Sequence, residues 1–156
     1  MRLEDKVAII TGGSRGIGLA TVEAFLKEGA KVALTASSQE SADRAVSKIL
    51  ERSPQAPVFG IAPNLASLES VEFEFAKAVE RFGSIDILVN NAGMSDSTPL
   101  ESYSDEAFEK VMDLNVKGVF NASKVAAKYM KEKSGGAILN TSSVVSVYGQ
   151  PSGCAY

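Results

Sequence analysis

Short apolar runs, separated by longer stretches of mixed character, set the layout of this chain. Five such runs predict strands, and the first of them, which ends in a glycine turn, is expected to be buried on both faces. The predicted strands cover 6–10, 31–35, 57–61, 85–89 and 137–141. Of the five runs, the one at 57–61 gives the weakest indication of a strand. Asp86 interrupts the fourth run near its start, where the end of a strand can still reach water.

Between these strands, apolar residues recur at helical spacing. The predicted helices cover 17–28, 39–51, 67–82 and 104–131. Gly29 and Gly83 follow two of them as C-terminal caps, and Ser104 caps the last one. The predicted apolar faces are Ile17, Ala20, Thr21, Ala24 and Phe25, then Ala42, Ala45, Val46 and Ile49, then Val71, Phe75 and Val79. Strands that alternate with helices of this length indicate an α/β fold, with helices on both faces of a parallel sheet.

The composition narrows the class of protein. The 156 residues, 45% of them hydrophobic and 22% charged, suffice for one domain but not for two ordinary ones. A net charge of −3 offers no basic surface for nucleic acid. No apolar run approaches the roughly 20 residues that a membrane helix needs. The acidic start of the chain, which leads directly into a strand, does not resemble a signal peptide.

Cysteine and histidine usage bears on the compartment and on metals. Cys154 is the single cysteine, so it cannot form an internal disulfide, and this fits a reducing compartment. The chain contains no histidine, so a zinc or haem site would lack its usual ligands. We therefore predict a cytoplasmic protein with one domain spanning 1–156, no metal site, and neither nucleic acid nor membrane as a partner.

A glycine-rich turn, TGGSRGIG at 11–18, joins the first predicted strand to the first predicted helix. Glycines permit a tight turn and let the backbone approach a pyrophosphate, while the helix N-terminus offers free N–H groups to it. A purely structural glycine turn is the alternative. The position after a buried strand and before a helix is the context in which such a turn binds phosphate. The sequence therefore predicts a Rossmann-type dinucleotide-binding domain.

The end of the second predicted strand bears on the choice of cofactor. Domains that bind NAD usually carry an acid there for the ribose 2′-hydroxyl. In this chain, no acid lies between the end of that strand and Glu40. Arg15 and the hydroxyl of Ser37 could instead contact a 2′-phosphate. A solvated arginine beside loop serines is the alternative. We favour NADP(H).

The chain resembles the short-chain dehydrogenase/reductase family, and within it the 3-oxoacyl-acyl-carrier-protein reductase type. The glycine turn matches the family's cofactor turn, and the NNAG motif at 90–93 matches its second signature. Asn115 matches the asparagine of its long helix. Ser143 and Tyr156 match its catalytic serine and tyrosine. The four signatures occur in the family's order.

The resemblance implies roles for these positions. A carbonyl, such as that of a 3-oxoacyl thioester, would be reduced to a secondary alcohol, with Tyr156 protonating the oxygen, Ser143 holding it and Asn115 supporting a proton relay. The implied cofactor-binding residues are Gly12, Ser14, Arg15, Gly16, Ile17, Gly18, Asn64, Leu65, Asn91, Ala92 and Gly93, and Ser37 joins them as the candidate contact to a 2′-phosphate. Taken singly, Asn115 could be a satisfied core amide. Ser143 could merely bond its loop, and Tyr156 could be a frayed end.

The family's motif continues from the tyrosine to a lysine four positions on, and the sequence stops at Tyr156. We therefore expect it to represent part of a longer chain, truncated after the fifth strand, whose parent forms a homo-oligomer. The fifth strand would be an uncovered apolar edge. The rival interpretations are a module that binds NADP(H) without catalysis and an inactive fragment.

Overall fold

The computed structural model describes residues 1–133, 135–150 and 152–156. Five parallel strands form one sheet in the order β3-β2-β1-β4-β5. They are β1 (Val7–Ile10), β2 (Lys31–Thr35), β3 (Val58–Ile61), β4 (Ile87–Asn90) and β5 (Ala137–Asn140). All five predicted strands are present within two residues of their expected bounds. Asp86 lies just before β4, where its carboxylate accepts the Val7 N–H at 2.8 Å.

Helices cover both faces of this sheet, which confirms the doubly wound Rossmann-type prediction. They are α1 (Gly16–Lys27), α2 (Gln39–Arg52), α3 (Leu68–Phe82), α4 (Asp105–Met112) and α5 (Val119–Glu132). One core cluster joins α1 and α2 to one face, and the other joins α3 and α5 to the opposite face. In β1, Ile10 belongs to the first cluster and Ile9 to the second, because successive side chains of a strand point to opposite faces.

Serine side chains begin three of these helices. Ser38 accepts the Ser41 N–H at the start of α2, Ser67 caps α3, and Ser104 caps α4 as predicted. Each serine oxygen satisfies one of the N–H groups that a first helical turn leaves without a partner. Gly83 ends α3 with a φ of 87°, a left-handed conformation that favours glycine.

The prediction of one continuous α-helix over 104–131 was wrong in its middle. A π-helical segment, Asp113–Gly118, separates α4 from α5. Two tertiary contacts favour this wider turn: the Asn115 side chain bonds the backbone of Met94, and Gly118 packs against Leu65. Such segments within helices frequently occur at functional sites.

The buried face of α1 also differs from the predicted one. Gly18 and Val22 are its buried residues, whereas Ile17 is 73% exposed and Ala20 and Ala24 are exposed. Because Gly18 has no side chain, the helix can approach the preceding turn closely at that position. A pattern of apolar residues cannot identify a face whose centre is a glycine.

β5 lies at the edge of the sheet, paired only with β4 among the described residues. Its Ile138 and Leu139 are partly exposed, as expected for an uncovered apolar edge. None of the described helices has the length and apolar character that crossing a membrane requires. The cytoplasmic location and the homo-oligomeric assembly stay predictions.

Candidate functional site

The carboxyl ends of β1 to β4 open into a cavity of about 700 Å³. The chain leaves β1 for β2 and β3, and later returns to the other side of β1 as β4. Loops at such a switch point diverge, and the crevice between them is where open α/β sheets bind ligands. All twelve predicted cofactor residues line this cavity: Gly12, Ser14, Arg15, Gly16, Ile17, Gly18, Ser37, Asn64, Leu65, Asn91, Ala92 and Gly93.

The glycine turn packs tightly at Gly12, Gly13 and Gly18, where a Cβ would lie 3.0 Å or less from another atom. A Cβ on Gly18 would overlap the carbonyl oxygen of Gly12 and lie 2.6 Å from the Nδ2 of Asn91. Gly12 has a φ of 65°, and a Cβ there would lie 3.0 Å from the Cα of Ala92. Backbone therefore lines this part of the cavity, as an approach to phosphate groups requires.

Hydrogen bonds tie this turn to the neighbouring strand ends. The Thr11 hydroxyl accepts the N–H groups of Asn91 and Ala92 at 3.0 and 2.9 Å, and Asn91 Nδ2 donates to the Thr11 carbonyl at 3.0 Å. On the β2 side, the buried Thr35 accepts the N–H of Gly12 on its hydroxyl. The cavity wall is therefore held from both sides.

The start of α1 differs from the three serine-capped helices. Its N-cap residue, Arg15, makes no side-chain capping bond to any described residue, and its first turn contains no acid. The N–H groups and the positive end of the helix dipole are therefore available to an anion. Arg15 is also the one charged residue among the described residues that line either cavity of the site.

The loop after β2 also lines this cavity. Ser37 and, unforeseen by the sequence analysis, Ser41 lie there. Glu40, the first acid after β2, pairs with Arg44 at 2.6 Å on the exposed side of α2. Asn64 lines the cavity, but its side-chain oxygen already accepts the Ala66 N–H at 3.1 Å.

A second cavity of about 210 Å³ adjoins the first along residues 91–93, which line both. The three predicted catalytic residues line this second cavity: Asn115, Ser143 and Tyr156. They come from the π segment, from the loop after β5 and from the end of the described chain. The tertiary structure therefore brings together three positions that are far apart in the sequence.

The three side chains differ in the hydrogen bonds that they already make and in their exposure. Asn115 Nδ2 donates to the Met94 carbonyl at 2.8 Å, and its Oδ1 accepts the Met94 N–H at 2.9 Å. Asn115 is thus a satisfied amide that also borders the cavity. Ser143 Oγ is 3.5 Å from the Val145 N–H, a weak capping contact. Tyr156 is 48% exposed.

Buried polar residues that the sequence analysis missed support these walls. Asn90 is 3% exposed, and its Nδ2 donates to Ser123 Oγ and to Asn140 Oδ1 at 3.0 and 2.8 Å. The signal in the sequence was a polar residue directly after an apolar strand. The other unpredicted lining residues are Thr35, Ala36, Ser41, Ala62, Pro63 and Leu114 in the first cavity, and Val119, Thr141, Ser142 and Ser146 in the second.

Replacing Asn121 by alanine should lower the free energy of unfolding by about 1–3 kcal/mol, because a buried carbonyl would lose its donor. Asn121 is buried on α5 and donates to the Leu65 carbonyl at 2.9 Å, which holds the adjoining wall of the first cavity. Urea unfolding measures the change. Lys124→Ala, at an exposed position of the same helix, is the control, and equal stabilities of the two variants would refute the prediction.

Comparison with known proteins identifies the family of this chain. The family model described as short chain dehydrogenase matches residues 6–156. The chain belongs to the short-chain dehydrogenase family. This is a family of oxidoreductases that bind a nicotinamide cofactor.

Relatives within the short-chain dehydrogenase family differ in what they act on. The chain is 53% identical over 156 residues to the 3alpha-hydroxysteroid dehydrogenase of Mediterraneibacter gnavus, covering 100% of this chain and 62% of that protein. It is 40% identical over 151 residues to a 3-oxoacyl-acyl-carrier-protein reductase of Thermotoga maritima, covering 97% of this chain and 61% of that protein.

Solved structures of the same family superpose closely. The crystal structure of levodione reductase has a TM-score of 0.92 at 35% identity and matches 99% of this chain. The crystal structure of NAD⁺-bound xylitol dehydrogenase has a TM-score of 0.93 at 31% identity and matches 100% of this chain. In both, the chain spans 60% of the solved protein.

Proposed function

We propose that the full-length protein is an NADP(H)-dependent oxidoreductase that reduces a ketone to a secondary alcohol, and can catalyse the reverse reaction. The observation that carries this proposal is the shared wall at residues 91–93. These residues line both the cavity of the glycine turn and the cavity of Ser143 and Tyr156, so the two cavities are neighbours. A dinucleotide bound along the first cavity would therefore end beside the second.

The first cavity fits a dinucleotide in size and in chemistry. Its volume of about 700 Å³ is in the range of small-molecule and cofactor sites. Gly12 and Gly18 leave the space that phosphates need, and the uncapped start of α1 complements their charge. A bound nicotinamide would supply or accept a hydride.

The side chains of the second cavity would handle the carbonyl oxygen. Tyr156 carries a hydroxyl that can donate a proton to this oxygen during reduction, which is general acid catalysis. Ser143 has only a weak capping contact, so its hydroxyl can donate a hydrogen bond to the same oxygen and stabilise the charge that develops there. Asn115 holds Met94, and we assign it the support of this wall.

Arg15→Ala should weaken NADPH binding by about ten-fold or more, since a hydrogen bond to a charged group contributes about 1.5–3 kcal/mol. Binding of NADH should change much less, because it lacks the 2′-phosphate. Fluorescence titration of the full-length protein with each cofactor measures both. Arg52→Ala, an exposed arginine of α2 outside the cavity, is the matched control. Equal losses for NADPH and NADH would refute the assignment of Arg15 to the 2′-phosphate.

Two ketones are the first candidates for the substrate. A 3-oxoacyl thioester is the substrate class that the family resemblance suggests, and the 40% identical reductase supports it. A steroid ketone is favoured by the greater identity, 53%, to the hydroxysteroid dehydrogenase. NADPH consumption by the full-length protein with each ketone tests both. Cofactor binding without turnover of either would support the non-catalytic module instead.

A further inference from the structure

A short segment after β4, residues 94–98, contacts the surroundings of the second cavity at both of its ends. At its start, the backbone of Met94 exchanges two hydrogen bonds with the side chain of Asn115. At its end, the carbonyl oxygen of Thr98 accepts the Gly153 N–H at 3.0 Å. The segment, called the strut below, therefore links the π segment of the long helix to the backbone around Gly153.

Gly153 in turn holds the backbone of Tyr156. Its carbonyl oxygen accepts a hydrogen bond from the Tyr156 N–H at 3.1 Å and another from Gln150 Nε2, also at 3.1 Å. Gly153 is buried and has a φ of 70°, and a Cβ there would overlap the carbonyl oxygen of Asp96. The strut thus packs directly against the backbone three residues before Tyr156.

The carboxylate of Asp96 gives the strut its shape. One oxygen accepts the Thr98 N–H at 3.0 Å, and the other accepts the Tyr103 hydroxyl at 2.6 Å. The bond to Asp96 raises the pKa of Tyr103 to about 12, and the same bond lowers the pKa of Asp96. Tyr103 therefore stays protonated and Asp96 ionised at neutral pH, which keeps a strong, charge-assisted hydrogen bond.

We propose that Asp96 is a positioning residue: by holding the strut, it fixes the hydroxyl of Tyr156 relative to Asn115. Asp96 is absent from the described residues that line the two cavities, so it would act through the residues it holds. This inference rests on the proposed function, in which Tyr156 donates the proton. It adds a residue that controls the geometry of that donor.

In the full-length protein, Asp96→Ala should lower kcat by about ten-fold or more, since a misplacement of about 1 Å can cost on the order of 100-fold. The dissociation constant of NADPH should not change, because Asp96 lies outside the cofactor cavity. Asp96→Asn retains one acceptor oxygen and should recover much of the lost kcat. Glu101→Gln, an exposed carboxylate close by in the same loop, is the matched control. An Asp96→Ala variant with wild-type kcat would overturn the proposal.

A second measurement does not depend on turnover. In the NMR spectrum of full-length protein with isotope-labelled tyrosine rings, the Tyr156 resonance is assigned from its loss in Tyr156→Phe. We expect this resonance to shift in Asp96→Ala and in Tyr103→Phe, and to stay in place in Glu101→Gln. A resonance that remains in place in all three variants would overturn the positioning role. Absence of turnover in the wild-type protein with every ketone would instead contradict the proposed function alone.

Discussion

Tyr156→Phe should lower the turnover of a ketone by the full-length protein by at least about 100-fold, because general acid catalysis contributes roughly 100- to 10,000-fold. The variant loses only the hydroxyl that faces the carbonyl oxygen in the proposed reaction. The affinity for NADPH should stay the same, since Tyr156 lines the second cavity and not the first. Stopped-flow measurement of NADPH consumption, with a separate binding titration, distinguishes the two effects.

Tyr148→Phe is the matched control for this substitution. Tyr148 is 68% exposed and does not line either described cavity, so removal of its hydroxyl should leave turnover unchanged. Thermal melts of both variants check that the fold is intact. If Tyr156→Phe reduced ketones at the wild-type rate, Tyr156 would have no part in the proton transfer.

Gly18→Ala should abolish measurable NADPH binding at cofactor concentrations that saturate the wild-type protein. The added methyl group would overlap the Gly12 carbonyl and crowd Asn91 Nδ2, so the turn would have to open. Both contacts belong to the wall that approaches the phosphates. The free energy of unfolding should also fall by about 1–3 kcal/mol, the usual cost of overpacking. Fluorescence titration and urea unfolding measure the two effects.

Gly149→Ala is the control for Gly18→Ala. A Cβ on Gly149 would meet no described atom within 4 Å, and its backbone is not in the left-handed region. This variant should therefore bind NADPH as the wild-type protein does. Wild-type affinity in Gly18→Ala as well would mean that the glycine turn does not hold the phosphates.

The glycine turn shows how much of the cofactor site local sequence can predict. A buried strand, a glycine pattern and a helix follow one another between Val7 and Lys27, and each has a local physical cause. The same local pattern is less reliable for the buried face of α1. The apolar pattern placed Ile17 on the inner face of α1, but Gly18 occupies it, because close packing of a helix depends on the absence of a side chain.

The long helix contains a feature that local sequence did not predict. Apolar residues recur at helical spacing on both sides of Asn115, so the sequence predicts one α-helix. The π segment arises where Asn115 bonds Met94, twenty-one residues earlier, and where Gly118 packs against Leu65. No local pattern encodes these contacts, since each joins residues more than twenty positions apart in the sequence.

The sequence by itself determined the succession of strands and helices, the Ser104 cap and the turn that begins the first cavity, because these depend on residues close together in the chain. Only the tertiary structure decided that β4 lies beside β1, which places Asn91 against Thr11 across eighty positions. It also decided that the strut reaches Gly153. The spacing of two side chains across a cavity follows from the packing of whole strands and helices, and no short stretch of sequence specifies that packing.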